Sequence, residues 1–214
     1  MDKITFSHVF KKFKNRIILE DVCIGLEAGN IYGIVGPNGS GKTVLLKLAA
    51  GLLYPTKGKI YIDDLVLGES LDFPSKMGLL IETPGFLSNM TGLENLEYLA
   101  KINNIVDKKK ILQYMDIVGI SDSANLKVGK YSLGMKQRLA IAQSIMENPD
   151  LIILDEPMNG LDVKGVARIQ NLLIQLKNEG KLIILASHVR EDIKLLCDEV
   201  YYIQDTKVYK AESL

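Results

Sequence analysis

The chain has 214 residues, 47% of them hydrophobic and 24% charged, which is typical of a globular protein with one or two domains. Its 26 lysines and arginines balance its 26 aspartates and glutamates, so the net charge argues against a dedicated nucleic-acid-binding protein. No apolar run approaches the roughly 20 residues that a membrane-spanning helix needs, and the N-terminus lacks the apolar core of a signal peptide.

The first third of the chain alternates short β-rich runs with turns. Alternation of apolar and polar residues predicts strands with one buried face over residues 3–10, 16–26 and 58–63. The apolar run 31–35 leads into a glycine-rich loop, and a helical pattern follows over residues 42–53. The order is therefore strand, glycine loop, helix.

The middle third is predicted to be helical. Thr91 and Glu94 fit a capping box at the start of a first helix. Asp107 is expected to cap a second helix. Ser132 is expected to open a third, which ends before Pro149.

The final third returns to alternating strands and helices. The apolar runs 151–154 and 181–187 predict buried strands, and Asp162 is expected to cap a helix that extends to residue 178. Residues 200–204 and 207–210 indicate a small hairpin. No internal repeat and no low-complexity segment interrupts this pattern.

These elements predict an α/β fold: a P-loop NTPase core with a parallel sheet, an N-terminal antiparallel β layer and an inserted α-helical subdomain. We place the nucleotide-binding core at residues 1–81 and 150–214 and the helical subdomain at 82–149, within a single domain over 1–214. The predicted elements occupy nearly all of this length, so we expect no further regulatory, membrane or nucleic-acid module.

The glycine loop matches G-x-x-x-x-G-K-[ST] in full. A predicted strand precedes the loop and a predicted helix follows it, which makes an accidental glycine turn the weaker interpretation. Glycines let the backbone turn its N–H groups towards a phosphate, and the helix that follows adds its positive dipole end. Lys42 can reach the β- and γ-phosphates, and the Thr43 hydroxyl can bind Mg²⁺. The residues expected to bind ATP here are Gly36, Pro37, Asn38, Gly39, Ser40, Gly41, Lys42 and Thr43.

Two acids follow the apolar strand 151–154. If this strand ends beside the phosphate loop, Asp155 can hold Mg²⁺, and Glu156 can face the γ-phosphate and orient or deprotonate the attacking water. An apolar run followed by two acids is common by itself. Together with the phosphate loop, it predicts an ATP-hydrolysing site.

Four further segments stand in the order found in ATP-binding cassette (ABC) ATPases, and the sequence resembles that family along almost its whole length. Residues 131–138 resemble the signature motif and residues 158–162 the D-loop. His188, at the end of an apolar strand, matches the switch histidine. Phe13 stands where the family places an aromatic that stacks on adenine, although hydrophobic packing is a serious alternative role for it.

The resemblance implies a head-to-tail dimer of two copies, with each ATP held between the phosphate loop of one copy and the signature segment of the other. Ser132 and Gly134 would act on the ATP of the opposite copy, and His188 would contact the γ-phosphate as a catalytic residue beside Glu156 and Lys42. A helix N-cap is the alternative role of Ser132, and both roles can coexist. His8, by contrast, has no motif around it, and we interpret it as a surface residue of a strand.

Several positions depart from the commonest family pattern. Tyr131, Leu133 and Met135 stand where Leu, Gly and Gln are usual, while Ser132 and Gly134 are kept. The resemblance therefore still implies phosphate binding by this segment.

Glu82 replaces the Gln that most of the family carries, within a segment that resembles the bacitracin-type and lantibiotic-immunity exporter branch. A carboxylate there could bind the metal and also repel the phosphates. We expect Glu82 to be both a catalytic residue and a metal ligand, and we hypothesise that it couples the metal and nucleotide state to a membrane partner.

The resemblance implies the ATPase subunit of an exporter of a peptide antibiotic or another amphipathic compound, with ATP and Mg²⁺ as cofactors. Separate polytopic membrane permease subunits would dock on residues 82–99, with exposed Phe86, Leu87 and Tyr98 as contacts or, equally, as core of the subdomain. The expected location is cytoplasmic, on the inner face of the plasma membrane.

The main alternative is a soluble ABC ATPase of repair or translation, which usually carries long insertions that this chain lacks. A small P-loop kinase fits the spacing poorly, and a non-hydrolysing regulatory subunit is disfavoured by the presence of both Asp155 and Glu156. Cys23 and Cys197 lie far apart, and free thiols in a reducing cytosol are favoured over a disulfide.

Overall fold

The computed structural model of the protein describes residues 1–82 and 85–211, so Thr83 and Pro84 of the exporter-like segment lie outside the described residues. The strands are β1 (Lys3–Phe13), β2 (Arg16–Glu27), β3 (Ile31–Val35), β4 (Lys57–Ile62), β5 (Leu65–Val66), β6 (Met77–Leu80), β7 (Leu151–Asp155), β8 (Leu182–Ala186), β9 (Glu199–Gln204) and β10 (Lys207–Lys210). The α-helices are α1 (Lys42–Ala49), α2 (Gly92–Asn103), α3 (Lys108–Ile117), α4 (Leu133–Ile145), α5 (Val163–Asn178) and α6 (Arg190–Leu196).

The strands form two sheets. An antiparallel sheet of four strands has the order β2-β1-β4-β5, and a sheet of six has the order β10-β9-β3-β8-β7-β6. In the six-stranded sheet every neighbouring pair is parallel except β9 and β10, which form the predicted hairpin. The predicted parallel core and N-terminal antiparallel layer are confirmed.

The six-stranded sheet is buried on both faces, which explains why its strands are continuous apolar runs. Along β7, Ile152 and Leu154 belong to the apolar cluster formed with helices α2 to α6. Leu151 and Ile153 face the opposite cluster, which α1 and the antiparallel sheet complete. The central strands are therefore fixed from both sides, and their ends form a rigid platform.

Helices α2, α3 and α4 lie between β6 and β7 in the chain, as the predicted helical insertion. The capping box of Thr91 and Glu94 is present, and Asp107, Ser132 and Asp162 each accept a hydrogen bond from a first-turn amide. In the described part of the chain, no helix is long and apolar enough to cross a membrane.

Two sequence predictions need correction, and one strand was missed. Helix α1 ends at Ala49 and not at residue 53, because the chain turns at Gly51, whose φ of 75° favours glycine. Strand β6 was not predicted, since four residues at the edge of a sheet give too short a pattern. Phe86 is not exposed but half-buried, and it packs against the core beside the helical insertion.

Candidate functional site

The functional side chains come from the carboxyl ends of neighbouring parallel strands. The phosphate loop follows β3, Asp155 and Glu156 lie at the end of β7, and His188 lies two residues beyond β8. Glu82 lies two residues beyond β6, on the same edge of the sheet. Open parallel sheets bind ligands at this edge, because the strand ends there point into one crevice.

The phosphate loop enters α1 through a backbone that only glycine adopts easily. Gly41, the N-cap of α1, has a φ of 110°, and Gly39 has a φ of 78°. A Cβ on Gly41 would lie 3.0 Å from the Ile18 side chain on β2, so the loop also packs tightly on the antiparallel sheet. The amides at the start of α1 are thereby held in one orientation.

The polar groups of the loop fit a phosphate. Lys42 is buried, and its Nζ donates to the carbonyl oxygens of Gly36 at 2.8 Å and Pro37 at 3.2 Å, which holds the ammonium inside the loop. Ser40 Oγ is buried and has no hydrogen-bond partner among the described residues. A buried ammonium and an unpaired hydroxyl beside a helix N-terminus suit a bound anion.

Thr43 and Asp155 join α1 to β7. The Thr43 hydroxyl donates to Asp155 Oδ2 at 2.6 Å. Burial raises the pKa of the Asp155 carboxyl, partly offset by the hydrogen bond from Thr43, and the nearby Glu156 carboxylate raises it further. A hydroxyl and a carboxylate side by side are oxygen ligands of the kind that Mg²⁺ prefers, and a cation would compensate the buried charge.

Glu156 and His188 form the second pair. His188 Nδ1–H donates to Glu156 Oε2 at 2.8 Å, and the Glu156 amide donates to the Ala186 carbonyl at 2.9 Å. Glu156 has a φ of 51°, so the chain turns sharply where its side chain leaves β7. The carboxylate is thus oriented by two contacts, one from Ala186 at the end of β8 to its backbone and one from His188, just beyond β8, to its side chain.

The phosphate loop separates two clefts. A cleft of about 530 Å³ is lined by Lys42, Thr43, Glu82, Asp155 and Glu156, among others. A larger cleft of about 1190 Å³ on the other side of the loop is lined by residues 36–40 and by His188. The Glu156–His188 hydrogen bond therefore connects the two sides.

Glu82 reaches the smaller cleft but is paired with a lysine. Its Oε1 accepts from Lys47 Nζ at 2.5 Å, and its backbone has a φ of 64°. Lys47 lies on α1, one turn after Thr43. The sequence did not single out Lys47, because a lysine in the last turn of a helix is ordinarily explained by the helix dipole.

Gln137 is a second residue to which sequence reasoning gave no role. It is buried on α4, and its Nε2 donates to the carbonyl oxygens of Glu156 and Pro157, both at 3.1 Å. Its position within the signature-like segment was the available signal. Through Gln137, the helical insertion contacts the backbone that carries Glu156.

Ser132 and Gly134 stand on either side of Leu133, which lines the smaller cleft. Neither is among the described residues that line the two clefts. Ser132 Oγ caps α4 by accepting from the Met135 amide at 3.2 Å. A Cβ on Gly134 would lie 2.6 Å from the Gly160 carbonyl oxygen, so this glycine permits close packing of α4 on the D-loop-like turn.

Phe13 lies at the tip of the β1–β2 hairpin, opposite Arg16. Its side chain is 45% exposed, and Lys11 Nζ lies 4.9 Å from its ring centroid. Arg16 lines the smaller cleft, whereas Phe13 does not line it. The Phe13 ring therefore lies near the smaller cleft without lining it, and part of the ring is exposed to solvent.

Comparison with known proteins agrees with these features. The family model described as ABC transporter matches residues 19–159. The uncharacterized ABC transporter ATP-binding protein YybJ of Bacillus subtilis is 45% identical over 88% of this chain and 86% of its own length. The bacitracin transport ATP-binding proteins BcrA of Enterococcus faecalis and Bacillus licheniformis are 39% and 38% identical over 92% of this chain. The chain spans 65% of the length of each BcrA protein.

Solved structures give the same result for the fold. A bacterial ABC transporter cassette described as dimeric superimposes with a TM-score of 0.87 at 27% identity, over 99% of this chain and 100% of the other. A nucleotide-free ATP-binding cassette from an ABC transporter superimposes with a TM-score of 0.86 at 23% identity, over 100% of this chain and 92% of the other.

Proposed function

Because the chain belongs to the ABC transporter family as an ATP-binding cassette, we propose that it hydrolyses ATP to power export of a peptide antibiotic or another amphipathic compound. The main support for ATP hydrolysis is that four side chains lie together beside the phosphate loop: Thr43, Asp155, Glu156 and His188. The exported class is supported by similarity to two proteins named for bacitracin transport.

We assign the steps of hydrolysis to this chain's own residues. The loop amides and Lys42 would hold the phosphates, and Thr43 and Asp155 would be the ligands for Mg²⁺, which would neutralise phosphate charge. Glu156 orients or deprotonates the attacking water. His188 keeps the Glu156 carboxylate in place and contacts the γ-phosphate from the side of the larger cleft.

A second copy of the chain completes the site in this proposal. Ser132 and Gly134 do not line the clefts beside their own phosphate loop and lie at the exposed N-terminus of α4, where free amides suit an anion. In a head-to-tail dimer this helix start would face the γ-phosphate of the partner, and Phe13 would stack on the adenine. The dimeric cassette among the similar structures supports this arrangement.

Separate membrane subunits are the remaining partners in the proposal. Three apolar side chains between Glu82 and the end of α2 are exposed to solvent. They are Leu87 at 47%, Tyr98 at 59% and Ile102 at 74%. Exposed apolar side chains of this kind suit a protein contact. Phe86 is half-buried, so we do not include it among these contacts. We place the chain on the cytoplasmic face of the membrane, bound to permease subunits.

Hydrolysis is tested with Glu156→Gln, which keeps the size of the side chain and removes its basicity. We expect this variant to bind MgATP, to lose at least about 100-fold in turnover and to accumulate as an ATP-bound dimer in sizing experiments. Glu179→Gln, on an exposed residue at the end of α5, is the matched control and should keep normal turnover. Unchanged turnover in Glu156→Gln would contradict the assignment of Glu156.

Transport is tested by isolating the chain from membranes of its own host and identifying what co-purifies with it. A polytopic membrane protein that raises the ATPase rate on reconstitution supports the exporter. Deletion of the gene should then sensitise cells to a peptide antibiotic. Recovery with ribosomes or DNA, and no membrane protein, would instead favour a soluble ABC ATPase of repair or translation.

A further inference from the structure

A cluster of three metal-ligating side chains lies on the outer surface of the antiparallel sheet. His8 on β1 and Asp21 and Cys23 on β2 each place a ligand atom within 4.8 Å of the other two. His8 Nδ1 lies 2.8 Å from Asp21 Oδ1 and 3.6 Å from Cys23 Sγ. All three side chains are exposed, so an ion from solvent can reach them.

Irregular pairing of β1 and β2 brings these side chains together. Regular alternation after the buried Phe6 would turn residue 8 inward, but the register shifts before Val9, and Val9 is buried instead. On β2, the next buried residue after Leu19 is Val22 and not residue 21. Asp21 therefore lies on the outer face of the sheet. An extra residue in a strand moves the following side chains to the opposite face.

Both extra residues have a backbone that is uncommon outside glycine. The φ angles are 49° for His8 and 50° for Asp21. His and Asp are among the residue types that adopt this left-handed region most readily. A Cβ on Gly58 of β4 would overlap the His8 carbonyl group, so the neighbouring strand holds the His8 backbone in place. The two ligands therefore leave the sheet from fixed positions.

We propose that His8, Asp21 and Cys23 form a binding site for Zn²⁺, separate from the nucleotide site. Imidazole nitrogen, carboxylate oxygen and thiolate sulfur together are the donor set that zinc prefers, whereas Mg²⁺ prefers oxygen alone. Three protein ligands leave one tetrahedral position for water or for a ligand from another molecule.

The distances suit this ion with little movement. Zinc–nitrogen and zinc–sulfur bonds of usual length place a nitrogen and a sulfur about 3.6 Å apart in a tetrahedron. The distance between His8 Nδ1 and Cys23 Sγ has this value. The Nδ1 to Asp21 Oδ1 distance would lengthen by about 0.5 Å, which a χ rotation of an exposed Asp allows. The His8 amide also donates to Cys23 Sγ at 3.4 Å, and this contact helps to hold the sulfur beside the imidazole.

The site is distinct from the nucleotide site in position and in chemistry. None of the three residues lines either cleft beside the phosphate loop. The oxygen ligands Thr43 and Asp155 offer no sulfur, so sulfur ligation identifies which site an ion occupies. Zinc bound here would link β1 to β2 and should stabilise the antiparallel sheet.

The test is a titration of the purified, reduced chain with Co²⁺, which replaces Zn²⁺ and has a visible spectrum. We expect one Co²⁺ per chain, with a thiolate-to-metal absorption band that excess Zn²⁺ removes and Mg²⁺ does not. Cys23→Ser should abolish the band. Cys197→Ala is the matched control, because the other thiol is half-buried beside Gly33 of β3 and is not part of the cluster, and this variant should keep the band.

Two further variants test the other ligands. His8→Asn and Asp21→Asn should each weaken Zn²⁺ binding by at least about tenfold, measured by competition with a chromophoric chelator. Asn tolerates the left-handed backbone, so both variants should fold, which circular dichroism checks. A band that persists in Cys23→Ser, or a wild-type chain that shows no thiolate band, would overturn the proposal and leave His8 and Asp21 as a surface ion pair.

Discussion

Lys47 Nζ and Glu82 Oε1 lie 2.5 Å apart, so the carboxylate that replaces the usual glutamine at this position is paired with a cation from α1. The pair lies beside the cleft that Thr43 and Asp155 also line. Glu82 is 65% exposed, and an ion pair at such a position stabilises a fold by no more than about 1 kcal/mol. We therefore expect Glu82 to matter through the charge that it places beside the proposed phosphate site.

Replacing Lys47 with Met should weaken MgATP binding only while Glu82 keeps its charge. We expect Lys47→Met to raise KM for MgATP about two- to fivefold, because an uncompensated carboxylate repels the γ-phosphate. In a Glu82→Gln background the same substitution should have little effect. A double-mutant cycle on KM and kcat measures the coupling, and equal effects of Lys47→Met in both backgrounds would contradict it.

Removing the His188 side chain should slow hydrolysis without preventing ATP binding. His188→Ala loses the hydrogen bond to Glu156 Oε2, and we expect kcat to fall about 100-fold or more while nucleotide affinity stays within a few-fold. His188→Gln keeps a donor of similar reach and should retain more activity. Single-turnover kinetics with a fluorescent ATP analogue separate binding from chemistry, and wild-type turnover in His188→Ala would refute the role.

Replacing Asp155 with Asn should stabilise the nucleotide-free chain while it abolishes Mg²⁺-dependent hydrolysis. Burial raises the Asp155 pKa above its ordinary value of 3.8, so the folded chain binds the proton more tightly than the unfolded chain. Ionisation therefore lowers stability as pH rises from about 3.8 through the folded pKa. At neutral pH we expect Asp155→Asn to raise Tm by about 2–4 °C.

Thermal unfolding across the acid and neutral range checks the sign of this effect. The difference in Tm between Asp155→Asn and wild type should be smallest at the acid end and should grow as pH rises. MgATP should stabilise wild type more than the variant. A variant less stable than wild type at pH 7 would show that the Thr43 hydrogen bond outweighs the burial of the charge.

Alanine substitutions at Gly134 and Gly25 can be compared, because an added Cβ would be crowded at Gly134 and unhindered at Gly25. A Cβ on Gly134 would lie 2.6 Å from the Gly160 carbonyl, whereas a Cβ on Gly25 of β2 meets nothing within 4 Å. We expect Gly134→Ala to cost about 1–3 kcal/mol and to reduce ATPase activity by moving α4 relative to Gly160. Gly25→Ala should change stability by less than about 1 kcal/mol and leave activity unchanged. Chemical denaturation measures the stability of each variant, and an ATPase assay measures its activity. Equal stability and equal activity of the two variants would contradict the packing argument.

The sequence predicted most of the fold because the signals involved are local. Caps at Thr91, Ser132 and Asp162 use hydrogen bonds between residues three apart, and strands buried on both faces need uninterrupted apolar runs. Strand β6 escaped prediction because it is short and is held by its neighbour β7. The end of α1 at Ala49 also depends on non-local packing around Gly51.

The sequence by itself determined the phosphate loop and the acidic strand end, because each consists of adjacent residues with a fixed chemical role. Only the tertiary structure decided which distant side chains meet. It paired Lys47 with Glu82, placed Gln137 against the Glu156 backbone and turned His8 and Asp21 towards Cys23. Such contacts depend on strand order, on register and on bulges, and no short sequence pattern specifies these long-range features.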